Sequence, residues 1–280
     1  MFGFACKHVR AFLIAVRALT TPTIHAPPSL LLTAAISSDR GIVLSHCPLP
    51  PLQLESALAG GPTATAAARA GIMAALARAY LPLVPRIRQP AGCSIPLWAL
   101  AKAGAASDGR VESQLAPALL QRLVDPVLLE AAKPQELSNA LYALGKLRED
   151  QQQRGSGWDP TSSPHLNALA GAVASRLRAA RGHGFEPQHV SNSLWACAKL
   201  GYRDSDLLLP LAEAAAALAP DMDAQHFANS LWALNALGCT GPEFRAVLEA
   251  LCGAALRRLR TPKEAEAFKP QDLSNILLAL

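Results

Sequence analysis

The chain has 280 residues, enough for one large domain or a short array of structural repeats. It is rich in Ala and Leu and only 5% aromatic, a composition that favours helices over sheets. Its net charge of +5 is uneven: residues 1–100 hold eight Lys and Arg against two acids, whereas residues 101–280 hold 18 against 19, which excludes a uniformly basic nucleic-acid surface there.

Residues 1–40 have the composition of an organellar transit peptide. Lys7, Arg10 and Arg17 precede the first acid, Asp39, and an acid-poor, Arg-containing, amphipathic start is typical of such peptides. The apolar run at residues 11–16 is far too short to span a bilayer. A secretory signal is the alternative, but the cysteines of the repeats form no disulfide-like framework. We therefore expect import into an organelle and no membrane span.

Residues 41–90 are rich in Pro and Ala and predict a linker with an irregular helix near residues 65–80. The cysteines do not change this interpretation, because none belongs to a Cys-x-x-Cys pair and zinc-site spacing is missing. The six are Cys6, Cys47, Cys93, Cys197, Cys239 and Cys252. We expect no metal site and no cofactor, and we expect Cys197 to be a small core residue, since it replaces a Leu of a repeated motif.

That motif has the form Leu-Ser-Asn-x-Leu-Trp-Ala-Leu and recurs along residues 91–280. Copies lie at residues 137–147, 190–201, 227–238 and 273–280, with a degenerate one at 94–104. Self-similarity at this spacing predicts a repeat protein, in which each unit buries its apolar face only against its neighbours. Repeats are predicted to start near residues 91, 134, 187, 224 and 270. The chain stops inside the last of them, so we expect it to be a fragment.

Each repeat is predicted to be a pair of antiparallel helices. Leu137, Leu141 and Leu144 lie on one helical stripe, and Gly201 and Gly238 follow two copies as C-cap glycines do. Second amphipathic segments lie between the copies, at residues 112–132, 164–181, 204–218 and 242–260. The fold class predicted is all-α, an α-solenoid of helix pairs after an irregular leader. Residues 149–157 are predicted to form a flexible polar loop.

Some positions of the motif are nearly constant and share one helix face. An Asn is followed by an aromatic residue at i+3, and in two copies by a Lys at i+7. The Asn and aromatic positions are Asn139, Tyr142, Asn192, Trp195, Asn229, Trp232 and Asn275, and the lysines are Lys146 and Lys199. Such a row suits the stacking and hydrogen bonding of single-stranded bases. The alternative, which we favour for Asn and the rings because identical residues cannot discriminate bases, is an amide ladder and aromatic packing between repeats.

RNA contacts are predicted instead at the varying positions beside the constant ones and at the lysines of the row. The varying slots hold Glu136, His189, His226 and Asp272 after a Gln; Ala140, Ser193, Ser230 and Ile276 after the Asn; and Gly145, Ala198 and Asn235 further along. Side chains that differ from repeat to repeat are what a one-base-per-repeat reader requires. Neutral variation on a solvated face is the alternative.

Two basic clusters end the second helices. They are Arg176, Arg178 and Arg181 in one repeat and Arg257, Arg258 and Arg260 in another. Cations near a helix C-terminus are favourable for the helix dipole alone, by about 0.3–1 kcal/mol each. A track for RNA phosphates is the second interpretation, and both stay open.

No arrangement of residues predicts catalysis. His189 and His226 occupy homologous positions, so neither is a lone catalytic histidine. No Ser/His/Asp spacing, phosphate loop, paired acids or metal motif stands out. We predict no catalytic residues and no enzymatic activity.

The motif resembles the repeats of octotricopeptide proteins of green algae, and is similar to the leucine-rich repeats of FAST-kinase-like and RAP-domain proteins. The resemblance covers about residues 90–280, where four copies share the Gln, Asn and aromatic pattern. It implies an α-solenoid that binds organellar RNA and acts in transcript stabilisation, splicing, rRNA processing or translation. It also implies the chloroplast stroma first and the mitochondrial matrix second. Ile95, Pro96 and Leu278 depart from the pattern, and no RAP domain is visible.

The sequence therefore predicts an organellar RNA-binding helical-repeat protein. Its partners would be single-stranded organellar mRNA or rRNA and other RNA-processing proteins, with no DNA. The alternative is a protein-interaction scaffold without RNA binding, which the near-neutral repeats favour. A steep loss of affinity for RNA with salt would support the first, and salt-insensitive capture of a protein the second.

Overall fold

A computed structural model of the chain describes residues 74, 77–103, 109–155, 157–179 and 184–279. The predicted transit peptide and most of the predicted linker lie outside these residues. Within them the secondary structure is helical and no strand occurs, so the all-α prediction is confirmed for the described part. The described chain forms two compact units. The first comprises the residues up to Ala131 and Asp150–Asp159, and the second comprises Ala132–Glu149 and the residues from Pro160 onward.

The first unit contains the degenerate motif copy. A 3-10 helix at Leu81–Arg86 leads into α1 (Ala91–Ala103), which is followed by α2 (Gly109–Leu123) and α3 (Pro126–Ala131). Helix α1 packs along α2 and buries Leu97 and Leu100 completely. The predicted second segment at 112–132 is broken before Pro126, because the residue preceding a proline disfavours helical backbone.

Pro96 departs from the motif pattern, but it does not interrupt the helix. It lies inside α1, where its missing N–H leaves the carbonyl of Gly92 without its partner in the helix. The buried Tyr80 hydroxyl donates to that carbonyl at 2.8 Å. The helix continues because a side chain supplies the donor that proline lacks.

The second unit holds the other four copies. Its helices are α4 (Pro134–Arg154, of which residues 150–154 are grouped with the first unit), α5 (Leu166–Ala179), α6 (Pro187–Leu200), α7 (Ser205–Leu218), α8 (Ala224–Leu237), α9 (Pro242–Leu259), α10 (Pro262–Ala265) and α11 (Pro270–Leu277). Short 3-10 turns lie at Pro160–Ser162 and Ala219–Asp221. We call α1, α4, α6, α8 and α11 the motif helices, since each carries one copy, and α2, α5, α7 and α9 the intervening helices.

Packing in the second unit follows this division. Motif helix α8 packs against α6 on one side and α11 on the other, while intervening helix α7 packs against α5 and α9. Each of α6 and α8 also packs against the intervening helix that follows it. Phe227 and Leu194 are fully buried at the motif positions predicted to form the apolar stripe.

Helices α4 and α6 approach closely at Gly145. A Cβ at this position would lie 2.8 Å from the Cα of Ala196, nearer than real Cβ atoms come to backbone. Gly145 therefore sets the distance between two successive motif helices.

The predicted C-caps are confirmed. Gly201 and Gly238 adopt left-handed backbone with φ of 65° and 74°. The following N–H groups, of Tyr202 and Cys239, each donate at 2.9 Å to the carbonyl five residues earlier, which closes the helix end.

The flexible loop predicted at residues 149–157 is wrong over most of its length. Helix α4 continues to Arg154, because Glu, Gln and Arg are good helix formers once a helix has begun. The helix ends where Gly155 takes a φ of 65°. The extension places Glu149 on the motif helix.

Candidate nucleic-acid interface

The aromatic positions of three successive motif helices lie side by side at the surface of the second unit. Tyr142, Trp195 and Trp232 are each half-buried. The ring centroids of Tyr142 and Trp195 are 5.1 Å apart with the planes tilted by 32°. The Nζ of Lys199 lies 5.4 Å from the Trp195 centroid and 4.9 Å from that of Trp232, within cation–π range of both. We call Tyr142, Trp195, Lys199 and Trp232 the aromatic ladder.

The ladder corrects the expectation that the rings fill the core between repeats. Tyr142 and Trp195 do contact each other across neighbouring copies, but at the surface, while Leu and Ala of the same helices fill the interior. The first unit repeats the local geometry on α1, where the Nζ of Lys102 lies 5.7 Å from the Trp98 ring centroid.

A carboxylate that the sequence did not single out holds both lysines of the row. Glu149 receives the ammonium of Lys199 at 2.7 Å and that of Lys146 at 2.8 Å. Burial alone would raise the pKa of Glu149, but the two lysine hydrogen bonds outweigh it and keep the pKa below its ordinary value. In the sequence, Glu149 lies three residues after Lys146, a spacing that brings two side chains together on a helix. Because residues 149–157 were predicted to form a loop, the pair was not predicted.

The Asn side chains of the row do not form the predicted amide ladder. Asn139, Asn192 and Asn229 are half-buried, and within the described part of the chain none of their amides forms a hydrogen bond. Asn275 differs, since its Oδ1 accepts from Gln271 at 3.0 Å on the same helix. Three amides thus lie beside the rings with hydrogen-bonding capacity to spare.

The slot after the Gln has a common structural role. In each copy its side chain accepts a hydrogen bond from the backbone N–H of the residue three earlier, at the helix start. The pairs are Lys133 to Glu136 at 2.8 Å, Glu186 to His189 at 3.1 Å, Asp223 to His226 at 3.2 Å and Lys269 to Asp272 at 3.0 Å. Glu, His and Asp alternate here because each offers an acceptor at the same reach.

The two histidines of this slot accept through Nδ1, which requires that nitrogen to be unprotonated. Burial lowers the pKa of both His189 and His226, against the opposing effect of the neighbouring Glu186 and Asp223 carboxylates. The neutral ring that the cap needs is therefore the form that the fold favours.

The slot after the Asn faces inward, which does not favour the RNA contacts predicted for it. Ala140, Ser193 and Ser230 are fully buried, and Ile276 is buried too. Ser193 donates to the carbonyl of His189 at 2.8 Å. The position one beyond the Asn lies on the core side of the helix, because 100° separates consecutive residues.

The third varying position of the motif is buried in one copy, half-buried in another and exposed in a third. Gly145 is buried at the contact with α6, Ala198 is half-buried, and Asn235 is exposed. The amide of Asn235 donates to the carbonyl of Leu278 at 2.7 Å, beyond the end of α11.

The basic clusters supply internal hydrogen bonds. Arg178 on α5 donates to the carbonyl of Asp206 at 2.8 Å, a carbonyl whose helical partner is missing because Pro210 has no N–H. Arg258 on α9 donates to the carbonyl of Pro220 at 2.7 Å and lies 3.8 Å from Glu264.

The remaining arginines of the two clusters differ in exposure. Arg257 and Arg260 are exposed and Arg176 is half-buried, whereas Arg181 lies outside the described residues. A phosphate track along both clusters stays a prediction, with the Arg178 and Arg258 guanidinium groups engaged in hydrogen bonds within the chain.

Three of the four cysteines that the structure describes are removed from solvent. Cys93, Cys197 and Cys239 are buried, and burial raises the pKa of Cys197 to about 12. Among the described residues no group of three or more His, Cys, Asp or Glu is placed to hold a metal ion. No described helix combines the length and apolar character needed to cross a membrane.

Comparison with known proteins adds no identification. No protein-family model matches the chain, and no curated protein matches it significantly.

Proposed function

We propose that this chain is an α-solenoid that binds single-stranded RNA through the exposed face of its motif helices. The observation that carries the proposal is the row of unbonded amides, aromatic rings and ammonium groups on α4, α6 and α8. The packing of like helices on like, motif on motif and intervening on intervening, supports the solenoid part of the proposal.

The three chemical groups of the row match the three parts of a nucleotide. Aromatic rings stack on bases of any sequence, with about 1–3 kcal/mol lost per base when a ring is removed. Amide oxygens and nitrogens pair with the base edges that single strands expose. Ammonium groups neutralise phosphates. Because the amides and rings are constant, we expect them to support affinity rather than sequence choice.

The motif's resemblance to octotricopeptide repeats supports an organellar role. We place the protein in the chloroplast stroma first and the mitochondrial matrix second, acting on mRNA or rRNA in processing, stability or translation, with no catalysis of its own. Import of the radiolabelled chain into isolated chloroplasts and mitochondria, with cleavage near residue 40, would test the location. Crosslinking and sequencing of RNA bound in organelles would test the role, and recovery of no enriched transcript would contradict it.

The rival function is a scaffold that binds a protein on the same face. Two observations favour it: the near-neutral charge of residues 101–280, and the pairing of both row lysines with Glu149. A scaffold would capture a protein partner at salt concentrations that remove RNA.

Binding to a labelled single-stranded oligoribonucleotide, followed by fluorescence anisotropy, tests the proposal directly. We expect W195A/W232A to bind at least about tenfold more weakly than the native chain, since two stacking rings are lost. Trp158→Ala is the matched control, because Trp158 is also half-buried but lies outside the ladder. Equal binding by both variants, with native far-UV circular dichroism, would contradict the proposal.

A further inference from the structure

Successive steps of the aromatic ladder differ in what fills them. At the first step the rings of Tyr142 and Trp195 contact each other directly. At the second step the ammonium of Lys199 lies against both Trp195 and Trp232. We call the space shared by these two tryptophans the Trp195–Trp232 gap. Its present occupant is the end of a flexible side chain.

The Lys199 ammonium is held in the gap from one side by Glu149, at 2.7 Å. A lysine has a four-carbon stem with freely rotating bonds, so its ammonium can leave without any movement of the helix. A nucleobase offers flat π faces to both rings, where the ammonium offers only a charge. A base at the position of the ammonium would therefore meet both rings.

Building on the RNA binding proposed above, we propose that a base of single-stranded RNA replaces the Lys199 ammonium in the Trp195–Trp232 gap, and that the displaced ammonium binds the adjoining phosphate. Glu149 opposes this exchange, because it holds Lys199 and Lys146 together and loses these partners when phosphates take them. Glu149 thus lowers the affinity for RNA and offsets one of the two lysine charges in the free protein.

The decisive variant is Glu149→Gln, which keeps the shape and removes the charge. We expect it to bind single-stranded RNA homopolymers of about twelve nucleotides roughly three- to tenfold more tightly than the native chain. Glu249→Gln is the matched control, since it removes the same charge from an exposed position on α9. Equal gains in affinity by both variants would show that net charge alone causes the effect, and would overturn the proposal. Weaker binding by Glu149→Gln would overturn it too.

The role of Lys199 is tested by Lys199→Met, which keeps the apolar stem without the ammonium. We expect the slope of log K against log salt to become shallower by about 0.7, the loss of one phosphate contact on a single strand. We also expect Glu149→Gln to give a smaller gain in the Lys199→Met background, because only Lys146 is left to release. Additive effects would contradict the exchange.

Fluorescence locates the base. In a W98F/W158F background the two tryptophans of the gap are the remaining ones in the chain, and stacking of a base between them quenches their emission on addition of oligouridylate or oligoadenylate. Binding by anisotropy without quenching, in protein with a native Tm, would overturn the gap as the site while leaving RNA binding intact. Absence of RNA binding by every variant, or capture of a protein partner by this face instead, would overturn both proposals.

Discussion

At the residue scale, the slot after the Gln, at the start of the motif helices, varies for a structural reason. Glu136, His189, His226 and Asp272 differ in charge and shape, yet each accepts the same backbone N–H. A position that reads bases would vary without regard to such a bond. The bond limits the slot to acceptors of similar reach, so its variation follows from helix capping.

The histidine caps predict a loss of stability in mild acid. Both folded-state pKa values lie below 6.5, so as pH falls the unfolded chain takes up these protons first. The contribution of the two histidines to stability is complete above pH 6.5 and is lost as pH falls through the folded-state pKa values. We expect the urea concentration at the denaturation midpoint to decrease as the pH is lowered from about 8 to about 5. H189E/H226E should show a smaller decrease, because glutamate, which fills the same slot in α4, lacks the titration of histidine.

The control for this measurement is His165→Gln, which changes a half-buried histidine away from the motif-helix starts. Loss of the pH dependence in this variant as well would remove the caps as its cause. A native pH dependence in H189E/H226E, measured by urea denaturation across the same range, would show that the caps do not titrate.

At the scale of the elements, the approach of α4 to α6 depends on one missing side chain. Gly145→Ala would bring its Cβ against the backbone of Ala196, which cannot move without shifting α6. We expect a loss of about 1–3 kcal/mol in the free energy of unfolding. Gly171→Ala is the matched control, because its Cβ would meet no atom within 4 Å. The free energy of unfolding of Gly171→Ala should rise by about 0.5–1 kcal/mol, because Ala has the higher helix propensity. If both variants were destabilised, the contact with Ala196 would not explain the loss in Gly145→Ala.

Two helices contain a proline whose missing N–H is replaced by a side-chain donor, Tyr80 for Pro96 and Arg178 for Pro210. Removing the donor leaves a carbonyl unbonded, so Tyr80→Phe should cost about 1–3 kcal/mol at its buried site. In a Pro96→Ala background the restored N–H reaches Gly92, and the same substitution should cost much less. A double-mutant cycle on the unfolding free energy measures this, and an additive cycle would contradict the compensation.

The sequence predicted the motif helices well because their signals are local. The spacing of Leu137, Leu141 and Leu144 places them on one stripe, and Gly201 supplies the left-handed cap. Helix α4 was underestimated because a run of Glu, Gln and Arg is compatible with loop or helix, and only the preceding turns decide. Periodicity also identified the face shared by Asn192 and Trp195 but not its exposure, since coverage depends on neighbouring helices.

At the scale of the whole molecule, charge and candidate site lie in different parts of the chain. Residues 1–100 carry the excess of Lys and Arg, whereas the ladder belongs to a nearly neutral stretch. A basic segment binds any nucleic acid at low salt, single- or double-stranded, through counterion release. Stacking rings bind only strands whose bases are free. The two contributions are therefore separable by salt and by strandedness.

We accordingly expect the chain without residues 1–40 to keep its affinity for single-stranded RNA at about 150 mM salt, and to lose affinity for double-stranded RNA at about 25 mM. W195A/W232A should show the opposite pattern, losing single-strand binding at both salt concentrations. Anisotropy titrations with both kinds of RNA check this, with circular dichroism confirming that each protein is folded. If removal of residues 1–40 abolished single-strand binding, RNA would be held by the basic leader and the ladder would have a different partner.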